Sequence, residues 1–107
     1  MNRKPDFIAE LKYRTTEQGG RRTPAFSGYR PQVKFDFSEM QTSGHQKFID
    51  KEVVHPGEAV IAEIAIISPD FFKNRLKPGM EFEFREGPRV IGTGTIHEIF
   101  NSDLLAQ

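Results

Sequence analysis

The 107 residues contain no cysteine, no tryptophan and only two tyrosines. Without cysteine there is no disulfide frame and no thiolate to act as nucleophile or metal ligand. No apolar run approaches the roughly 18 residues that a membrane span needs. The longest, from Ala59 to Ile67, is interrupted by Glu63. The opening residues MNRKPDF lack the apolar core of a secretory signal. The expectation from these absences is a cytoplasmic protein with no membrane partner.

Catalytic patterns are also missing. There is no G-x-x-x-x-G-K-S/T, hence no loop to cradle the phosphates of a nucleotide. The three histidines, His45, His55 and His97, stand at spacings that match no metal motif. No serine sits in a nucleophile elbow. Glu81 and Glu83 share one strand face, where they serve solubility better than acid–base chemistry. No enzyme activity, cofactor or metal ion is therefore expected.

What remains is bulky, turn-rich and evenly charged. Ten phenylalanines supply much of the apolar volume, and nine glycines and seven prolines punctuate the chain. A chain of this length buries one core, so residues 1–107 read as a single domain with its core over about residues 6–100. Net charge is zero but unevenly placed. Residues 1–34 hold eight Lys/Arg against three Asp/Glu, and residues 35–107 hold seven against twelve. A basic end can form a local phosphate-binding face in spite of a neutral total. It can equally balance the acidic remainder within the molecule.

The stretch over residues 19–35, GGRRTPAFSGYRPQVKF, organises this reading. Gly19-Gly20 lets the chain turn sharply, and Pro24 and Pro31 exclude helix or central strand. A long ordered loop carries function more often than a short one. On either side the sequence alternates. Phe7, Ala9, Leu11 and Tyr13 fall on one face of residues 6–14, and Val33, Phe35 and Phe37 on one face of residues 32–38. Residues 39–50 are polar and give the weakest signal. Val53-Val54 reads as another short strand, and His55-Pro56-Gly57 as a turn. In residues 59–67 Val60, Ala62, Ile64 and Ile66 face one way, while Ile61, Ala65 and Ile67 face the other. A strand apolar on both faces is covered on both, either by a loop or by a partner. Ser68-Pro69 opens a single helical turn, Phe71-Phe72 caps a barrel end, and Lys77-Pro78-Gly79-Met80 turns again. Phe82 and Phe84 alternate in the next strand, Glu86-Gly87-Pro88-Arg89 closes a hairpin, and residues 90–100 form the last strand. Residues 101–107 read as a fraying tail. About six short strands and no confident helix argue an all-β sandwich or barrel.

GGRRTPAFSGYRPQ resembles the first long loop of the C-terminal β-barrel domain, domain III, of elongation factor Tu. HPGEAVIAEIAIISP (residues 55–69) and FEFREGPRVIGTGTIHEIF (residues 82–100) continue the resemblance in the family's order. It implies a closed six-stranded antiparallel β-barrel of Greek-key type, with a short strand near residues 46–49, here as a stand-alone chain without the GTPase domain. It implies translation-related binding, to the T-stem backbone of tRNA or another structured RNA, with Arg21, Arg22, Gln32, Glu86 and Gly87 facing the RNA. It also implies a protein surface, since the family's barrel packs on a GTPase domain and meets an exchange factor. Tyr29, Arg30 and Pro31 are assigned to the structure of the loop. The alternative is a protein-interaction module docking a GTPase-like or other protein through the strand from Ala59 to Ile67, without RNA. Two positions depart from the family pattern. Ser68 replaces a basic or polar residue before the proline, and Pro88 replaces the second glycine of the hairpin, removing an N–H. The residues alone leave Arg21 and Arg22 open as an ordinary exposed pair or an ion pair with Glu17, and Arg30 open as a packed bridge to the barrel.

Overall fold

The computed structural model describes residues 4–107. Strands β1 (Phe7–Tyr13), β2 (Ala25–Phe26), β3 (Gln32–Phe35), β4 (Gln41–Phe48), β5 (Val53–Val54), β6 (Ala59–Ile66), β7 (Glu81–Glu86) and β8 (Arg89–Ile99) follow one another, with two short 3₁₀ turns, Pro69–Phe72 and Ser102–Leu104. Six of the strands close an antiparallel barrel in the order β1-β6-β4-β3-β7-β8. β3, β4 and β6 run as successive antiparallel neighbours, and β6 then lies beside β1, which is the Greek-key arrangement. β1 also pairs with β8, so no barrel strand keeps a free edge. β2 and β5 form a separate two-stranded ribbon.

The inward positions follow the alternation. Phe7, Ala9, Leu11 and Tyr13 are buried, as are Val60, Ala62, Ile64 and Ile66. Phe7, Phe35, Phe72 and Phe82 meet mostly edge to face, with centroids 5.1–6.4 Å apart. Gly92 and Gly94 of β8 make room for these rings. A Cβ would lie 2.2 Å from Phe84 Cζ at Gly92, and 2.3 Å from Phe82 Cζ at Gly94.

Four expectations need correction. β3 stops at Phe35, so Phe37 lies beyond the strand and is half-buried, stacked on Phe35. β4 is eight residues long, against the short strand expected near 46–49. Only Phe72 of the Phe71-Phe72 pair enters the core, packing on Phe35 and Phe37, while Phe71 is exposed. The C-terminus is not a fraying tail. Leu104 is fully buried, and backbone bonds from Leu76 N to Leu104 O (2.8 Å) and from Ala106 N to Leu76 O (2.7 Å) bind the segment to residues 74–76.

Candidate nucleic-acid interface

Residues 14–31 connect β1 to β3 and carry Arg14, Arg21, Arg22 and Arg30. The connection is tightly built. Thr15 N donates to Gln18 Oε1 (3.0 Å) and Gln18 N to Thr15 Oγ1 (3.1 Å), closing a compact turn. Gly19 follows at φ +94°, and Gly20 is buried where a Cβ would lie 2.4 Å from the Arg14 carbonyl oxygen. Further on, the chain lies along β4. Gly28 N donates to Gln46 O (2.7 Å), Gln46 N to Tyr29 O (2.9 Å) and Gly44 N to Pro31 O (2.9 Å). The loop is thus anchored by its own backbone, with Pro31 buried beneath it and Tyr29 packed on the core.

The decisive link is to the β7–β8 hairpin. Glu86, the last residue of β7, accepts from the Arg21 guanidinium and the Tyr29 hydroxyl on one oxygen. Its other oxygen accepts from Arg89 Nη2 at 3.1 Å. The Arg21 guanidinium carbon sits 4.6 Å from the centre of the Tyr29 ring, and Arg21 also donates to Thr23 Oγ1 and to the Thr23 and Pro24 carbonyls. Burial pushes the Glu86 carboxyl up, but hydrogen bonds from Tyr29 and Arg21 outweigh it and hold the group below its ordinary value. Burial, then the bond to Glu86, drives the Tyr29 phenol well above its ordinary value. Burial opposes the Arg21 charge, and Tyr29 and Glu86 more than restore it. Among the described residues Arg21 pairs with Glu86, and not with Glu17.

The five residues expected to face RNA therefore differ in what they can offer. Arg21 and Glu86 are joined to each other. Arg22 is exposed and makes no hydrogen bond or ion pair among the described residues. Gly87, at φ +60°, is exposed with its N–H unbonded among them. Gln32 is half-buried in β3, its backbone opposite Arg85 and Ser43. Arg85 is itself paired with Glu83 at 2.6 Å. Pro88 takes the second central position of a two-residue turn, after a residue of positive φ. Its missing N–H would not have joined the strand ladder there. Arg30 is exposed and makes no hydrogen bond or ion pair among the described residues. Arg89, half-exposed at the foot of the hairpin, was not singled out from the sequence. Its position three residues after Glu86 across a tight turn was the available signal.

The model of the family described as the elongation factor Tu C-terminal domain matches residues 1–100. The chain belongs to that family. The elongation factor Tu C-terminal domain is a non-catalytic β-barrel, and membership makes this chain a translation-factor-like binding module. Among the described residues no helix is long and apolar enough to cross a membrane. No group of three or more His, Cys, Asp or Glu among them could hold a metal ion.

Proposed function

We propose that this elongation factor Tu C-terminal-like barrel contacts the phosphate backbone of structured RNA, a tRNA stem in particular, through the end where residues 14–31 meet the β7–β8 hairpin. The observation that carries the reading is the Arg21–Glu86–Tyr29 junction, which fixes the basic loop against the hairpin. Arg22 is left exposed beside that junction, with Arg89 and the Gly87 N–H at the hairpin. Exposed guanidinium groups bind phosphate through forked, charge-assisted bonds. Such contacts read duplex RNA by shape and backbone, without sequence preference. In this reading Arg21 and Glu86 position the surface, Arg22, Arg89 and Gly87 touch phosphate, and Gln32 reaches sugar or phosphate oxygens beside them.

The test is the salt dependence of binding to a duplex RNA stem. Each neutralised phosphate contributes about 0.9 to the log–log slope for duplex DNA, and Arg22→Ala with Arg89→Ala should together lower the slope by about two. A flat salt response, or a slope unchanged by the double substitution, overturns the reading.

A second reading, that the barrel docks a protein through β6, is favoured by one observation. Ile67 and Ile49, one residue beyond the ends of β6 and of neighbouring β4, are 69% and 52% exposed.

A further inference from the structure

The outer face of β1, β6 and β4 combines apolar side chains with carboxylates that have no hydrogen-bond or ion-pair partner among the described residues. Inward residues of β6 alternate with half-buried Ile61 and Glu63, which face outward, while Ala65 beyond them is buried. Ile8 of β1 is paired through the backbone with Glu63 on one side and Glu98 on the other, and Ile61 is paired with Glu10. Ile49 N donates to Ile61 O at 2.9 Å, so Ile49 extends the row onto the β4 side. Ile8, Ile61 and Ile49 thus run diagonally across three neighbouring strands. Glu10 flanks this row on one side, and Glu63 and Glu98 flank it on the other.

None of those three glutamates makes an ion pair or side-chain hydrogen bond among the described residues. Glu10 and Glu63 are nevertheless half-buried. A partly desolvated carboxylate is screened less than an exposed one, so it gains more from an incoming cation. Lys47, opposite Glu63, and Lys12, opposite Ala59, are the cations the same strands carry on this side. Beyond Ile8 the face runs into an open cleft of about 650 Å³, lined by Glu63, Phe100 and Asp103 among others. Lys4 and Asp6 line it too, so the cleft sets one exposed ring among acids and a cation.

We infer that this face is a docking surface for a basic amphipathic helix of another protein. Its apolar stripe would lie along Ile8, Ile61 and Ile49, and its lysines or arginines would reach Glu10, Glu63 and Glu98. The row crosses about 10 Å from β1 to β4 at ordinary strand spacing, which two helical turns cover. The inference rests on the protein-docking reading of β6 and adds the chemistry of the partner. It is independent of the basic end.

Two synthetic helices test it, both with leucine at i, i+3, i+4 and i+7, one carrying lysine elsewhere and the other glutamate. Each is titrated into the ¹⁵N-labelled protein. The expected result is binding of the lysine helix alone, with amide shifts concentrated at Ile8, Ile61, Glu63 and Phe100. Its affinity should fall at least tenfold in a Glu10→Gln, Glu63→Gln, Glu98→Gln variant and stay unchanged in Glu39→Gln, in the connection between β3 and β4 at the far end of β4. Duplex RNA binding should be unaffected by the triple variant. Preferential binding of the glutamate helix at the same amides overturns the partner's chemistry and leaves the docking reading standing. Absence of binding by both, or lysine-helix shifts spread over all acidic residues, overturns the surface itself. Pairing of the face with a second copy, seen as concentration-dependent shifts at the same amides without peptide, also overturns it.

Discussion

The basic end and the outer face of β1, β6 and β4 use charge in opposite ways. At the basic end, arginines and one glutamate largely satisfy each other. Arg21, Arg89 and Tyr29 converge on Glu86, and Arg85 closes on Glu83. On the outer face, Glu10, Glu63 and Glu98 surround isoleucines without a partner among the described residues. A count of charged residues would rank the basic end as the more available surface. The geometry reduces that end to Arg22, Arg30, half of Arg89 and one backbone donor, and leaves the acidic face almost intact. Charge listed along a chain is not charge presented to a partner. One region is a junction of paired charges and the other keeps its acids unpaired among the described residues.

Both surfaces ride on one barrel, and the largest effect breaks them together. Phe82 is nearly fully buried against Phe7 and Phe35, and its ring fills the space left by Gly94. Phe82→Ala should cost roughly 3–5 kcal/mol of unfolding free energy in denaturant titration. A loss under about 1 kcal/mol, typical of surface sites, would place Phe82 outside the core. The two regions would then have no common frame.

A smaller effect separates them. Glu86→Ala removes the acceptor shared by Arg21 and Tyr29 and should destabilise by about 1–3 kcal/mol, the range for leaving a buried polar group unsatisfied. Glu63→Ala removes an unpaired carboxylate and should stay within about 0.5 kcal/mol of the parent. Equal effects would erase the contrast. Acid titration sharpens it. The folded Glu86 carboxyl lies below its ordinary value, because hydrogen bonds from Tyr29 and Arg21 outweigh its burial. The unfolded chain therefore binds the proton first. The stability Glu86 supplies is complete above the ordinary carboxyl value of about 4.3. It is lost as pH falls through the lower folded value. Urea midpoints should drop over that window in the parent and drop less in Glu86→Gln. An identical acid limb in both would remove Glu86 from the stabilising set.

Much of the barrel was legible in the sequence, and the parts that were not have physical reasons. β1 and β6 carry an uninterrupted apolar face, so alternation found them. β4 hid because its inward residues are Thr42, Gly44, Gln46 and Phe48. Gly44 is small because a Cβ there would lie 2.6 Å from Val33 Cγ2, and buried Gln46 accepts the Tyr13 hydroxyl. An inward polar or missing side chain breaks the pattern that marks a strand. The C-terminal segment hid because a single buried leucine and backbone bonds hold it, and neither has a periodicity. At the basic end the residue types and the loop were readable, but the partner of Arg21 stands 65 residues away across the barrel. Only folding decides which arginine is engaged and which is exposed.

The smallest expected effect follows from that last distinction. Arg21 and Arg22 are adjacent and identical in type, yet one is held by Glu86, Tyr29, Thr23 and Pro24, and the other by nothing among the described residues. Arg22→Ala should leave unfolding free energy within about 0.5 kcal/mol of the parent, as surface changes do. If Arg22 touches one phosphate, the same substitution should reduce the salt slope of duplex RNA binding by about 0.9, taking the duplex-DNA coefficient. Arg21→Ala should do the reverse in kind. It should lower stability and loosen residues 14–31, seen as faster amide exchange at Gly28 and Tyr29, and change RNA binding only through the displaced loop. Arg21→Lys keeps the charge but cannot reproduce the fork that reaches Glu86 and Thr23 together. It should therefore resemble Arg21→Ala in stability. A salt slope that falls for Arg21→Ala and not for Arg21→Lys, with stability intact in both, would make Arg21 a direct phosphate contact and collapse the division between junction and surface.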